Sequence, residues 1–97
     1  DETVTQASLQ VVAKQLDELI AREARLIAER DGVASIDIPR HFASRESEEG
    51  VMKILTGEQT FFESRRQSRD GQKAQLRERV SQLEEEIRGL ERQIAAK

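Results

Sequence analysis

A chain of 97 residues has room for one small domain or for part of a larger protein. It is 36% charged and 36% hydrophobic, with three Phe as its only aromatics, one Pro and five Gly. That is too little large apolar surface for a thick core, so the composition excludes an ordinary compact globule and points to long helices with a narrow apolar seam. No apolar run approaches the ~20 residues that a membrane-spanning helix needs. The absence of Cys excludes disulfides, thiolate zinc sites and cysteine nucleophiles. A net charge of −3, from 16 basic and 19 acidic residues, argues against bulk nucleic-acid binding. Asp1 and Glu2 stand where a signal peptide carries basic residues, so none is expected here, and the start without Met leads to the expectation of a fragment.

The first predicted element is a helix over about residues 3–31. Val12, Leu19 and Leu26 recur every seven residues, Leu9 and Leu16 form a second row, and Ala13, Ile20 and Ile27 flank them. Spacings of three, four and seven make one stripe on a helix. Thr3 or Thr5 is the candidate N-cap, Glu18 and Arg22 are an i,i+4 ion pair, and Asp31-Gly32 supplies the stop, with Gly in the left-handed conformation.

A connector follows over about residues 32–46. Pro39 lacks an amide donor and pushes Ile38 toward extended geometry. Ile36, Ile38 and Phe42 are too apolar to hang in water, so the connector is expected to be ordered and to pack back on a helix.

The third element is a long helix over about residues 47–96, with Ser44 or Ser47 as its candidate cap, either continuous or broken near Gly57. Its heptads place Val80, Ile87 and Ile94 at a, and Leu76, Leu83 and Leu90 at d. Traced backward, the d row reads Arg69, Phe62, Leu55 and the a row reads Lys73, Arg66, Gln59, Met52. The seam is thus apolar at both ends and mostly polar between Gln59 and Lys73. The residues expected to carry coiled-coil packing are Leu9, Val12, Leu16, Leu19, Leu26, Leu55, Phe62, Leu76, Val80, Leu83, Ile87, Leu90 and Ile94. Arg65, Arg66, Arg69 and Lys73 form a basic band, read either as a solvated or partner-facing face or as a set of contacts between subunits.

The fold class is therefore all-α, one helical coiled-coil segment over 1–97. Leaving Leu76 to Ile94 in water forgoes ~1.5–3 kcal/mol of burial per residue, so the seam calls for a partner. The second helix outruns the first, so self-association through helices is expected. Val and Ile at a with Leu at d favour parallel dimers, but the flanking charges leave strand direction open, since Arg79 would meet Glu84 and Glu86 would meet Glu91.

No catalytic or metal-binding constellation emerges, and no cofactor is implied. His41 is the only His, and a triad of Ser35, His41 and Asp37 lacks any nucleophile elbow or oxyanion-hole motif. The acidic spacing around Asp31 and Asp37 is not that of a calcium loop. The basic band before a leucine zipper resembles a zipper-type DNA binder, but Glu63 and Asp70 interrupt it, Gly71 weakens the helix, and the chain has no Asn to read a base. The chain is read as a non-enzyme without nucleic-acid partners.

The run from Leu16 to Gly32, LDELIAREARLIAERDG, resembles the start of the helical region in HlyD-family periplasmic adaptors. So do the corner Ile36-Asp37-Ile38-Pro39, the segment Gly57 to Arg66 with its Gly-x-x-x-x-Phe-x-x-Arg-Arg pattern, and the tail from Leu83 to Leu90. The likeness covers nearly the whole chain. It implies the α-helical hairpin region of a membrane fusion protein of a type I secretion system. Such adaptors have an inner-membrane helix, a lipoyl-like domain, a β-barrel and a long helical hairpin. They assemble as a ring, expected to be hexameric, and join an inner-membrane ABC transporter to a TolC-like outer-membrane channel. By this resemblance the chain is the ascending part of the hairpin, lies in the periplasm and inserts into no membrane itself. Related efflux adaptors bind their channel through Arg, then Leu, then Ser at helical spacing. Arg22 with Leu26, and Arg79 with Leu83, match the first two, but Val33 and Leu90 stand at the Ser position, so no channel-binding residues are assigned. The alternative reading is a generic coiled-coil dimerisation or scaffold module.

Overall fold

Helix propensity, a well-formed stop and a proline corner divide the chain as its pattern requires. The computed structural model describes residues 2–97, with side chains described from residue 5. Its elements are helix α1 (Glu2–Asp31), a 3-10 turn (Arg40–Phe42) and helix α2 (Glu49–Ala95), with no strand among the described residues. Two compact units result, Asp1–Ser64 and Arg65–Lys97.

α1 ends in a Schellman motif. Gly32 has φ 67°, its N–H donates to the Glu29 carbonyl at 3.3 Å, and the Val33 N–H donates to the Ala28 carbonyl at 3.3 Å. Those two bonds satisfy carbonyls that the helix leaves without partners, and Gly adopts positive φ without a Cβ clash. The start differs from expectation. Thr3 and Thr5 both lie inside α1, so neither is its cap. Its i,i+4 ion pair is Arg25 with Glu29, at 3.1 Å, rather than Glu18 with Arg22.

The connector is a succession of tight turns. Amides of Phe42, Ala43, Arg45 and Glu48 each donate to the carbonyl three residues earlier, at 2.9–3.0 Å. Pro39 begins the sequence with φ −62° and ψ 149°, the extended geometry its ring favours. Phe42 is fully buried and Ile36 half-buried, as their apolarity demands. Ile38 departs from expectation: it is 53% exposed, standing at the rim of the packing.

α2 begins at Glu49, with the Glu48 carbonyl accepting the first helical bond from Met52 at 2.9 Å. Glu48 thus holds the flanking position expected for Ser44 or Ser47, which lie in the preceding turns. There is no break at Gly57. The helix runs through it, because the residues before it are anchored by core packing that outweighs a propensity cost of about 1 kcal/mol. The core of the first unit is small: Ala21, Phe42 and Val51, with Ile20, Ile54 and Leu55 packed against them. One residue comes from each of α1, the connector and α2, so this core fixes the corner.

Candidate functional site

Two sets of side chains could carry function here: the polar contacts that lock the corner, and the apolar rows that remain in water. The lock is built on α1. Asp17, Ala21, Ala24, Arg25 and Ala28 are spaced by three and four residues and share one face, which is buried or half-buried. Small residues on that face allow close approach of backbone, and the two charged members are satisfied by partners.

Asp17 is only 7% exposed. Arg45 of the connector grips both its oxygens, Nη2 to Oδ2 at 2.8 Å and Nη1 to Oδ1 at 3.1 Å, while His41 Nε2 lies 2.6 Å from Oδ1. Arg45 also donates through Nε to Glu48 at 3.0 Å. These bonds tie the second half of the connector to the middle of α1. The Arg45 guanidinium holds the Asp17 carboxyl below the usual carboxylate range, with His41 adding to the effect and burial opposing it. Arg45 is shifted upward in turn, first by Asp17 and then by Glu48. The His41 ring stands edge-on to Phe42, centroids 4.9 Å apart, which couples the polar lock to the apolar core.

Arg25 forms the second node. Its Nε donates to Glu58 of α2, its Nη1 to Glu29 at 3.1 Å, and its guanidinium carbon lies 4.4 Å from the Phe61 ring centre. A planar cation can serve two carboxylates and an aromatic face together, which a Lys could not. Phe62, the neighbouring seam residue, is fully buried, whereas Phe61 is 48% exposed beneath the guanidinium.

The residues expected to pack coiled coils fall into two groups. Phe62 is buried and Leu55 half-buried in the first unit. Leu9, Val12, Leu16, Leu19 and Leu26 of α1, and Leu76, Val80, Leu83, Ile87, Leu90 and Ile94 of α2, are between 46% and 76% exposed. So α1 uses its alanine face, not its leucine rows, against the rest of this chain. In the basic band, Arg69 is half-buried and Arg65, Arg66 and Lys73 are exposed. Sequence reasoning overlooked Asp17, Ala21, Arg25, Arg45 and Val51. Alanines at 21, 24 and 28 already carried a helical period, but a search for large apolar residues passes over it.

A corner joining two unequal helices, with no helix among the described residues long and apolar enough to cross a membrane, is the geometry to be placed among known proteins. Residues 5–97 match the family model described as AprE, long alpha-helical hairpin. The chain is 40% identical over 96 residues to the type I secretion system membrane fusion protein PrsE of Rhizobium meliloti (strain 1021). That alignment takes in 99% of this chain and 22% of PrsE, so the chain spans about a fifth of its relative's length. No solved structure matches it. The resemblance to HlyD-type adaptor hairpins read from the residues therefore holds, and the chain belongs to the AprE long α-helical hairpin family.

Proposed function

We propose that this chain is the helical spacer of a type I secretion adaptor. In this reading it stands in the periplasm as part of a protein anchored in the inner membrane, and it helps to bridge an ABC transporter and a TolC-like outer-membrane channel. The observation that carries the reading is 40% identity to a type I secretion membrane fusion protein across 99% of the chain. The physical features support it. A 47-residue helix rises about 70 Å at ~1.5 Å per residue, which suits a rod more than a catalyst. The corner is locked by both an apolar core and half-buried ion pairs, so α1 and the start of α2 act as one stiff base. The exposed rows on α1 and α2 supply surfaces for further helices of the same machine.

The test uses the whole adaptor that contains this segment, in cells carrying its transporter and channel. Charged substitutions at Leu83 and Leu90 should stop export and lower recovery of the channel with the adaptor, while the adaptor stays in the inner membrane. Normal export with both positions charged, or an adaptor that never co-purifies with transporter or channel, would overturn the proposal.

A further inference from the structure

The seam of α2 is interrupted by charge. In heptad register, Arg66 falls at a, Arg69 at d and Lys73 at a, directly before the apolar run that begins at Leu76. All three lie on the second unit, where Leu76, Leu83 and Leu90 continue the same d row and are exposed. A helix that covers the apolar run and continues along α2 must cross these cations at core positions. Cations enclosed by a partner are costly unless opposite charge meets them.

The same helix of a second copy offers no such charge. In a parallel pair, Arg66, Arg69 and Lys73 would each face their own counterpart across the seam. In the antiparallel register that pairs all apolar layers from Leu76 to Ile94, Lys73 falls opposite Lys97. Both arrangements set like charges together.

We propose that the occupant of the α2 seam is a helix of different sequence, with an apolar heptad stripe opposite Leu76–Ile94 and Asp or Glu at the core positions opposite Arg69 and Lys73. The cations then act as a register mark. Sliding the partner by one heptad sets its acids against Leu76 and Val80 in one direction, or its apolar residues against Arg69 and Lys73 in the other, so one alignment is selected, as single polar core residues do in other coiled coils. The inference rests on the adaptor reading for its setting and deepens it by naming the chemistry of the partner helix.

The probes are labelled helical peptides of about 35 residues with Ile and Leu at a and d, ending in a block whose core positions are Glu in one set and Lys in the other. Each set is made with the block at either end, which covers both strand directions. Titrated with this chain, the Glu peptide in one direction should bind about tenfold more tightly than its Lys twin, with the margin shrinking as salt rises. The double variant Arg69→Glu, Lys73→Glu should invert the preference, its helix content checked by circular dichroism. Should that variant lose helix, Arg69→Gln, Lys73→Gln should abolish the preference instead. Equal binding of Glu and Lys peptides, a preference untouched by these substitutions, or a dimer of the chain that neither peptide displaces would overturn the proposal. The assay reads helix pairing alone, so its failure leaves the adaptor reading standing, and loss of export in cells says nothing of the acid block.

Discussion

Asp17 shows how one side chain can hold a corner. A carboxylate 7% exposed would be strongly destabilising on its own, and here two bonds from Arg45 and one contact to His41 offset its desolvation. Removing Arg45 while leaving the carboxylate should therefore cost more than removing both. Arg45→Met should destabilise the first unit by about 1–3 kcal/mol, and the added Asp17→Asn should recover part of that loss, measured by thermal unfolding. The pH dependence has a definite sign. The folded-state pKa of Asp17 lies below its unfolded value, so the stability it supplies is complete above an unfolded pKa of about 3.9 and is lost as pH falls through the folded one. The Asp17→Asn chain should be less stable than the parent at pH 7, and the gap should close as the solution is taken below pH ~4. A gap that is constant from pH 7 to pH 2 would contradict the role of Arg45 as partner to a charged Asp17.

At the scale of elements, α1 divides its faces in a way that inverts the usual weight given to large residues. Ala21 is 1% exposed against Phe42 and Val51, while Leu19 is 58% exposed. Ala21→Leu should destabilise the first unit by about 1–3 kcal/mol through overpacking, and Leu19→Ser should change it by less than about 0.5 kcal/mol. The glycines invert too. Gly57 lies inside α2 with open space around the position of a Cβ, so Gly57→Ala should stabilise by about 0.5–1 kcal/mol. Gly32 has open space as well, but its φ of 67° makes Gly32→Ala unfavourable by about 1–2 kcal/mol. Melting temperatures of the two variants should move in opposite directions. The contrast also explains what was legible in the sequence. The Asp31-Gly32 stop, the Pro39 corner and both helices could be read because each depends on local backbone chemistry. Continuity through Gly57 could not, since it rests on tertiary packing that overrides propensity. The Asp17 and Arg25 nodes were hidden for the same reason. Their partners lie 28 and 33 residues away, and no periodicity links residues that meet only after the chain turns back.

For the molecule as a whole, the two units differ in what holds them. In the first, Phe42 and Phe62 are fully buried and ion pairs cross from α1 to the connector and to α2. In the second, none of residues 65–97 is buried, and the helix rests on its own backbone bonds and local side-chain contacts. Helices without tertiary packing are marginal in water even when their sequence favours them. Amide hydrogen exchange should therefore be slow for residues 17–28 and 51–62 and markedly faster for residues 76–94 when the chain is dilute. Addition of a helix that covers the seam should slow exchange across 76–94 and leave 17–28 nearly unchanged, because the lock on Asp17 is already complete. Equal protection of both regions in dilute chain would mean that the seam is already covered by another copy. The substitution Leu83→Lys separates these cases, since it should speed exchange in 76–94 only where a second helix is bound. A chain built this way keeps its first unit folded by its own contacts, while the stability of its second unit depends on whichever helix covers the seam.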